Sequence, residues 1–204
     1  REILLGRKRP AFNEQETQIS IDDELTVQQK MIVRKIIQTK DYLLLWGPPG
    51  TGKTSIVIKH AARHLFMLSE TRICYLAYTN RAVDEICDAL VSAGLKKDFI
   101  RIGSKYSVDP NYVDNLLDEQ IKGFKTRAQI LQKLKATRIY VSTISSMQGK
   151  PELFELLKFD MAIVDEASQI LEPAIIGLLT NFDRFVLIGD HNQLPAVVTQ
   201  NEKL

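Results

Sequence analysis

Two cysteines, three histidines and one tryptophan in 204 residues exclude several kinds of protein at once. Cys74 falls in an apolar strand pattern and Cys87 in a helical one, too scattered for a disulfide framework. Buried thiols in a reducing compartment are the expectation. No apolar run is long enough to span a bilayer, and no signal peptide opens the chain. The reading is a soluble intracellular protein, cytoplasmic or, in a eukaryote, nuclear, with no membrane partner. Internal repeats and low-complexity tracts are missing as well. His60 and His64 have the i, i+4 spacing of a metal pair, but no Glu flanks His60 and no third ligand is in view, so zinc is not expected. Neither a Ser-His-Asp order nor a nuclease cluster can be found. Charge of one sign is also missing: 27 Lys and Arg against 25 Asp and Glu give a net +2. That balance neither demands nor excludes nucleic acid, because a basic groove can be local.

What is there begins with Gly47-Pro48-Pro49-Gly50-Thr51-Gly52-Lys53-Thr54. It fits the phosphate-loop pattern G-x-x-x-x-G-K-[ST]. The apolar run Tyr42–Trp46 before it reads as a buried strand, and residues 53–67 after it read as a helix, which is the context this motif requires. The glycines let backbone N–H groups turn inward around phosphate oxygens. The helix start adds donors and partial positive charge. Lys53 would reach the β- and γ-phosphates, and Thr54 would hold Mg²⁺ through its hydroxyl.

The length suits one α/β domain, and a hydrophobic fraction of 45% can supply its core. Residues 1–24 read as a lead-in with a small basic cluster, Arg7-Lys8-Arg9. The helix end at Arg1–Leu5 and the abrupt finish suggest a piece of a longer protein. Thr26 is a candidate N-cap, followed by a helical stripe of Met31, Ile32, Ile36 and Ile37. Strands are expected at 72–77, 99–102, 138–142, 160–164 and 184–188. Helices are expected at 81–93, ended by Gly94, and at 173–180. Residues 104–136 interrupt the alternation with a polar, mostly helical insertion. Its cations Lys122, Lys125, Arg127, Lys133 and Lys135 read as a solvated face rather than a nucleic-acid track. Apolar strands alternating with helices predict a mostly parallel sheet covered on both faces. Ligands on such sheets sit beyond the carboxyl ends of the strands.

Two further clusters fall at such ends. Asp165 and Glu166 follow an apolar strand. In a chain with a phosphate loop, Asp165 suits Mg²⁺ and Glu166 suits the general base that deprotonates an attacking water. Beyond the next strand, Gly189-Asp190-His191-Asn192-Gln193-Leu194-Pro195 offers Gln193 as a γ-phosphate contact, although turn residues would explain the spacing equally.

Taken together, six blocks carry a resemblance. They are Leu25-Thr26-Val27-Gln28-Gln29, Gly47 to Thr54, Ala77 to Asp84, Val141-Ser142-Thr143, Asp165 to Ser168, and Gly189 to Pro195. In this order the chain resembles the first RecA-like motor domain of a superfamily 1B helicase, the group of up-frameshift RNA helicases, senataxin and the replication helicase-nucleases. The resemblance covers residues 25–204 and implies a RecA-like phosphate-loop NTPase using ATP and Mg²⁺. By the same resemblance, Gln29 reads the adenine edge, with Gln28 one place away, and Gln193 senses the γ-phosphate. Thr79 and Asn80, then Ser142 and Thr143, contact the backbone of single-stranded DNA or RNA, and movement runs 5′ to 3′. Tyr78-Thr79 stands where Pro-Ser is frequent, which tilts the reading towards DNA, and Ala196 stands where a second proline is frequent. The family places an arginine finger on a second motor domain, which residues 1–204 do not include, so these residues alone are expected to bind ATP and hydrolyse it slowly. Two rivals remain: a phosphate-loop ATPase of a ring or clamp (AAA+-like) class, and a degenerate, non-enzymatic nucleic-acid-binding module.

Overall fold

The computed structural model describes residues 24–47 and 52–190, with 7, 9 and 11, Lys53 and Thr54 being described in backbone only. Six strands form one sheet: β1 (Tyr42–Trp46), β2 (Ile73–Ala77), β3 (Phe99–Ile102), β4 (Ile139–Thr143), β5 (Phe159–Val164) and β6 (Phe182–Gly189). Their order is β1-β6-β5-β2-β4-β3, and every pairing is parallel. All carboxyl ends therefore face the same way. The central strand β2 is buried throughout. Its Ile73, Tyr75 and Ala77 pack into one apolar cluster and its Cys74 and Leu76 into the other, as the two-residue period of a strand requires. Both cysteines are buried and free.

One face is covered by α1 (Val27–Gln38), α2 (Lys59–Leu68) and α3 (Asn80–Ser92); the other by α5 (Arg127–Ala136), α6 (Ile144–Gln148), α7 (Glu152–Leu156) and α8 (Glu172–Leu179). A short α4 (Leu117–Ile121) lies between. α1 starts at a capping box: the Gln29 amide donates to Thr26 Oγ1 (3.2 Å), and Thr26 N–H donates to Gln29 Oε1 (3.0 Å), so two orphan donors are satisfied reciprocally. Val33 and Ile36 face the core, whereas Met31, expected in the stripe, is half exposed. α3 is amphipathic and buries Ala82, Val83, Ile86, Cys87, Ala89 and Leu90. The insertion holds a 3₁₀ turn (Pro110–Asn115), α4 and α5. Its Lys122, Lys125, Arg127 and Lys135 are exposed and Lys133 half-buried.

One expectation needs correction. β1 is not a buried strand. It pairs only with β6 among the described residues, and Leu44 and Trp46 are each 63% exposed. An apolar run shows that residues can be buried, but it does not say whether their strand lies inside the sheet or at its edge. β3 forms where expected, and its run Phe99-Ile100-Arg101-Ile102 buries a cation. Arg101 is only 1% exposed and ion-paired with Asp84 of α3. Burial pushes its pKa down to about 10, with Asp109 opposing the fall. A buried cation of this kind is tolerated only when paired.

Candidate functional site

Parallel pairing brings the ends of β1, β6 and β5 side by side. Trp46 stands opposite Gly189, and Val164 opposite Leu187. The Gly47 amide extends the β1–β6 ladder by donating to the Gly189 carbonyl (3.3 Å). Pro48, Pro49, Gly50 and Thr51 lie outside the described residues. The chain then re-enters through Gly52, in the left-handed region at φ 75°. A Cβ there would stand 2.7 Å from Ile56 Cδ1, so glycine is required twice over, by backbone and by space. The Gly52 carbonyl accepts from both the Ile56 (2.9 Å) and Val57 (3.0 Å) amides. The expected helix accordingly opens as a π turn over Lys53–Ile58 before continuing as α2. Wide turns of this kind often sit at functional sites, and the first amides of a helix have no partner within it. The geometry is a glycine-capped helix start at the end of a parallel strand, open to an anion.

Asp165 continues the ladder, its amide donating to the Leu76 carbonyl (2.8 Å), and its side chain is buried at 4% exposure. Asp165 Oδ1 accepts from the Glu166 amide (2.9 Å). That bond turns the chain, and Glu166 takes φ 53°, ψ 33°, among the described residues the only non-glycine at positive φ. Such a conformation costs about 1–2 kcal/mol and persists where the surroundings over-determine it. Glu166 Oε2 is buried with no hydrogen-bond partner among the described residues. Burial raises the Glu166 pKa, the charges of Asp165 and Glu85 raise it further, and the Thr79 hydroxyl and Arg81 oppose. A carboxyl held above its ordinary range is a stronger base once ionised. A buried acid and an orphaned carboxylate oxygen at the carboxyl end of β5 fit a hard divalent cation and its water. Mg²⁺ needs only one or two protein carboxylates when phosphates and water complete its shell. Accordingly, the lack of three convergent His, Cys, Asp or Glu side chains among the described residues does not count against it.

The ends of β5 and β6 touch directly. The Asp190 amide donates to Ser168 Oγ (3.3 Å), and a Cβ on Gly189 would meet the Ser168 nitrogen at 3.1 Å. Asp190 is buried and accepts from Trp46 Nε1 (3.4 Å). Gln193 lies outside the described residues. Gln29 is half-buried at the start of α1, with its carbonyl oxygen used by the cap, and Gln28 is exposed.

Next along the sheet come the ends of β2 and β4, where Ala77 stands opposite Thr143. Thr79 caps α3, its hydroxyl accepting from the Ala82 amide (3.1 Å), and Asn80 is the first helical residue. Thr143 caps α6, its hydroxyl accepting from the Ser146 amide (3.1 Å) and donating to Ser146 Oγ (2.8 Å). The Ser142 hydroxyl is fully buried and donates to the Thr143 carbonyl (2.8 Å). Of these four, Thr79 alone is exposed. The sequence reading missed the bond between Asp84 and Arg101. Its only signal was one cation in an apolar strand.

Comparison with known proteins follows this geometry. A family model described as an AAA domain (AAA_11) matches residues 24–135 and 117–201. The DNA replication ATP-dependent helicase/nuclease DNA2 of Mus musculus is 32% identical over 214 residues, 99% of this chain and 20% of that protein. The protein of the same description from Bos taurus is 37% identical over 177 residues, 85% of this chain and 16% of its own length. JHS1 of Arabidopsis thaliana, described in the same words, is 34% identical over 181 residues, 89% of this chain and 13% of that protein. The chain thus spans a fifth or less of the length of these relatives. Among solved structures, the UvsW helicase from bacteriophage T4 superposes with a TM-score of 0.55 at 20% identity, over 80% of this chain and 52% of that one. At that identity the likeness is one of fold.

Proposed function

We infer the function from the family, for the chain belongs to the AAA_11 family of AAA domains and is a RecA-like motor domain of the superfamily 1 helicase kind. The proposed activity is ATP binding and hydrolysis coupled to movement along single-stranded nucleic acid, in the 5′-to-3′ direction. DNA is favoured over RNA because the relatives are named as DNA replication helicase/nucleases. The observation that carries the reading is that the glycine-capped π turn, the buried Asp165 and Glu166, with its left-handed backbone and orphaned Oε2, lie at the carboxyl ends of strands in one parallel sheet.

In this proposal Gly47 to Thr54 cradle the phosphates, with Lys53 at the β- and γ-positions. Asp165 and Thr54 would hold Mg²⁺, which neutralises charge developing on the transferred phosphoryl group. Glu166 Oε2 takes the proton of the attacking water, Gln193 contacts the γ-phosphate, and Gln29 reads the adenine. Thr79 and Asn80 form the nucleic-acid face, where a helix start favours phosphate at Asn80; Ser142 and Thr143, expected beside them, are buried and would act by shaping the end of β4 rather than by direct contact. Partners are single-stranded DNA or RNA and a second RecA-like domain that supplies an arginine finger. Work of this kind would be done inside the cell, in cytoplasm or nucleus. Among the described residues no helix is long and apolar enough to cross a membrane.

The test is titration of a fluorescent ATP analogue into wild type and Lys53→Ala. Binding that needs Mg²⁺ and weakens at least tenfold in the variant is expected. Undiminished binding in Lys53→Ala would favour the degenerate-module reading instead.

A further inference from the structure

Beyond Thr143 the sheet has one more strand, β3, and its end opens into a hollow of about 530 Å³. Ile102, Ser104, Lys105 and Tyr106 form one side, and Ser146 and Lys150, from α6 and the turn after it, form another. The register sets Ala77 beside Thr143 and Ile102 beside Ser142. The segments after β2, β4 and β3 therefore stand in a row, about 10 Å from first to last at the usual strand spacing.

Tyr106 is 89% exposed, yet its backbone is held. The Ser107 amide closes a turn on the Ser104 carbonyl (3.1 Å), and the Tyr106 amide donates to Ser104 Oγ (3.3 Å). Lys105 Nζ lies 5.2 Å from the ring centroid. A solvent-facing ring on a fixed turn, flanked by a cation, has the make-up of a stacking platform for bases. The hollow's charges are divided. Lys105 and Lys150 line it, and Asp118 and Glu119 line it as well. Glu119 is paired with Lys122 (2.9 Å) and Lys150 lies 3.8 Å from Glu152. The carboxylates repel phosphate and the lysines attract it, which orients a strand with its backbone on the lysine side.

We propose that this hollow receives one base of the single-stranded nucleic acid, stacked on Tyr106, with Lys150 meeting the adjoining phosphate. The row of strand ends then carries the strand from Thr79 past Thr143 to Tyr106. This extension rests on the motor-domain reading above.

The test is equilibrium binding of fluorescein-labelled oligo-dT and oligo-rU to the full-length protein, followed by anisotropy at several salt concentrations. Tyr106→Ala is expected to weaken binding about 5- to 100-fold, with Tyr106→Phe close to wild type, since the stacking face is kept. Lys150→Ala is expected to flatten the dependence of log affinity on log salt by about 0.7, while Tyr106→Ala leaves that slope unchanged. Because Tyr106 is exposed, the variants should fold, and unchanged binding of a fluorescent ATP analogue checks that they do. Wild type that binds oligonucleotide while Tyr106→Ala binds equally well overturns the base subsite alone. Wild type that binds no oligonucleotide overturns this proposal together with the nucleic-acid part of the motor reading.

Discussion

At the scale of single residues, Glu166 concentrates the chemistry. Burial of its carboxyl, with one oxygen lacking a hydrogen-bond partner among the described residues, and the neighbouring charges of Asp165 and Glu85 act on one side chain, which sits on a left-handed backbone. Burial and the two neighbouring charges disfavour the ionised form, and both are relieved when the carboxylate takes a proton from water. Glu166→Gln should lower kcat for ATP by about 10²–10⁴ while ATP binding survives. The stability effect has the opposite sign. A raised folded-state pKa means that the native protein binds more protons than the unfolded chain, so stability falls as pH rises through the interval between the two values. Glu166→Gln removes the penalty. Thermal melts should show the variant more stable than wild type at neutral pH, with the gap narrowing as pH drops through the carboxylate range. A variant less stable at neutral pH would contradict this account. Gln29 shows a second residue-level tension: the carbonyl that caps α1 is also the group available to accept from an adenine amine.

At the scale of elements, α3 links the parts. Its N-cap Thr79 and its first two turns, with Arg81 and Glu85, act on Glu166, and its Asp84 pairs with buried Arg101 on β3. Farther along, the Tyr112 hydroxyl of the insertion donates to Asp88. One helix therefore links Glu166, the ends of β2 and β3, and the insertion. Arg101→Met should destabilise the domain by about 3–5 kcal/mol by stranding Asp84. Arg101→Met with Asp84→Leu should recover most of the loss, because two apolar side chains need no partner. Urea melts of the three proteins decide it, and a double variant as unstable as the single one would show that the pair is not the cause. The Ala-Val-Asp part of the resemblance thereby gains a physical reason: the carboxylate neutralises a cation that β3 buries.

At the scale of the whole molecule, the described segments that follow β1, β2, β4, β5 and β6 lie at one end of a parallel sheet, and the chain spans a fifth or less of the relatives it matches. We propose that the ATP site is completed by an arginine from a second RecA-like domain, since such a residue contributes about 10³–10⁵ in rate in other phosphate-loop enzymes. Residues 1–204 alone should then bind ATP and hydrolyse it slower than the full-length protein by a factor of that order, with little stimulation by nucleic acid. Near-normal, stimulated hydrolysis by residues 1–204 would refute it.

The amino-acid sequence by itself determined the α/β class, six strands to within about two residues, the glycine-loop start of the helix after β1, the Thr26 cap, and the identity of the acids at strand ends. All of these are written in local spacing: apolar runs, cap residues, and glycines where a Cβ would clash. Only the tertiary structure decided the order β1-β6-β5-β2-β4-β3, and with it much else. It put β1 at an edge among the described strands, opened the helix after the glycine loop as a π turn, gathered Thr79, Arg81 and Glu85 around Glu166, paired Arg101 with Asp84, and set Tyr106 and Ser146 around one hollow. The reason is that strand pairing joins residues far apart in the chain. Local periodicity cannot record which apolar strand another will choose as its neighbour, and a carboxylate's basicity depends on what that choice brings beside it.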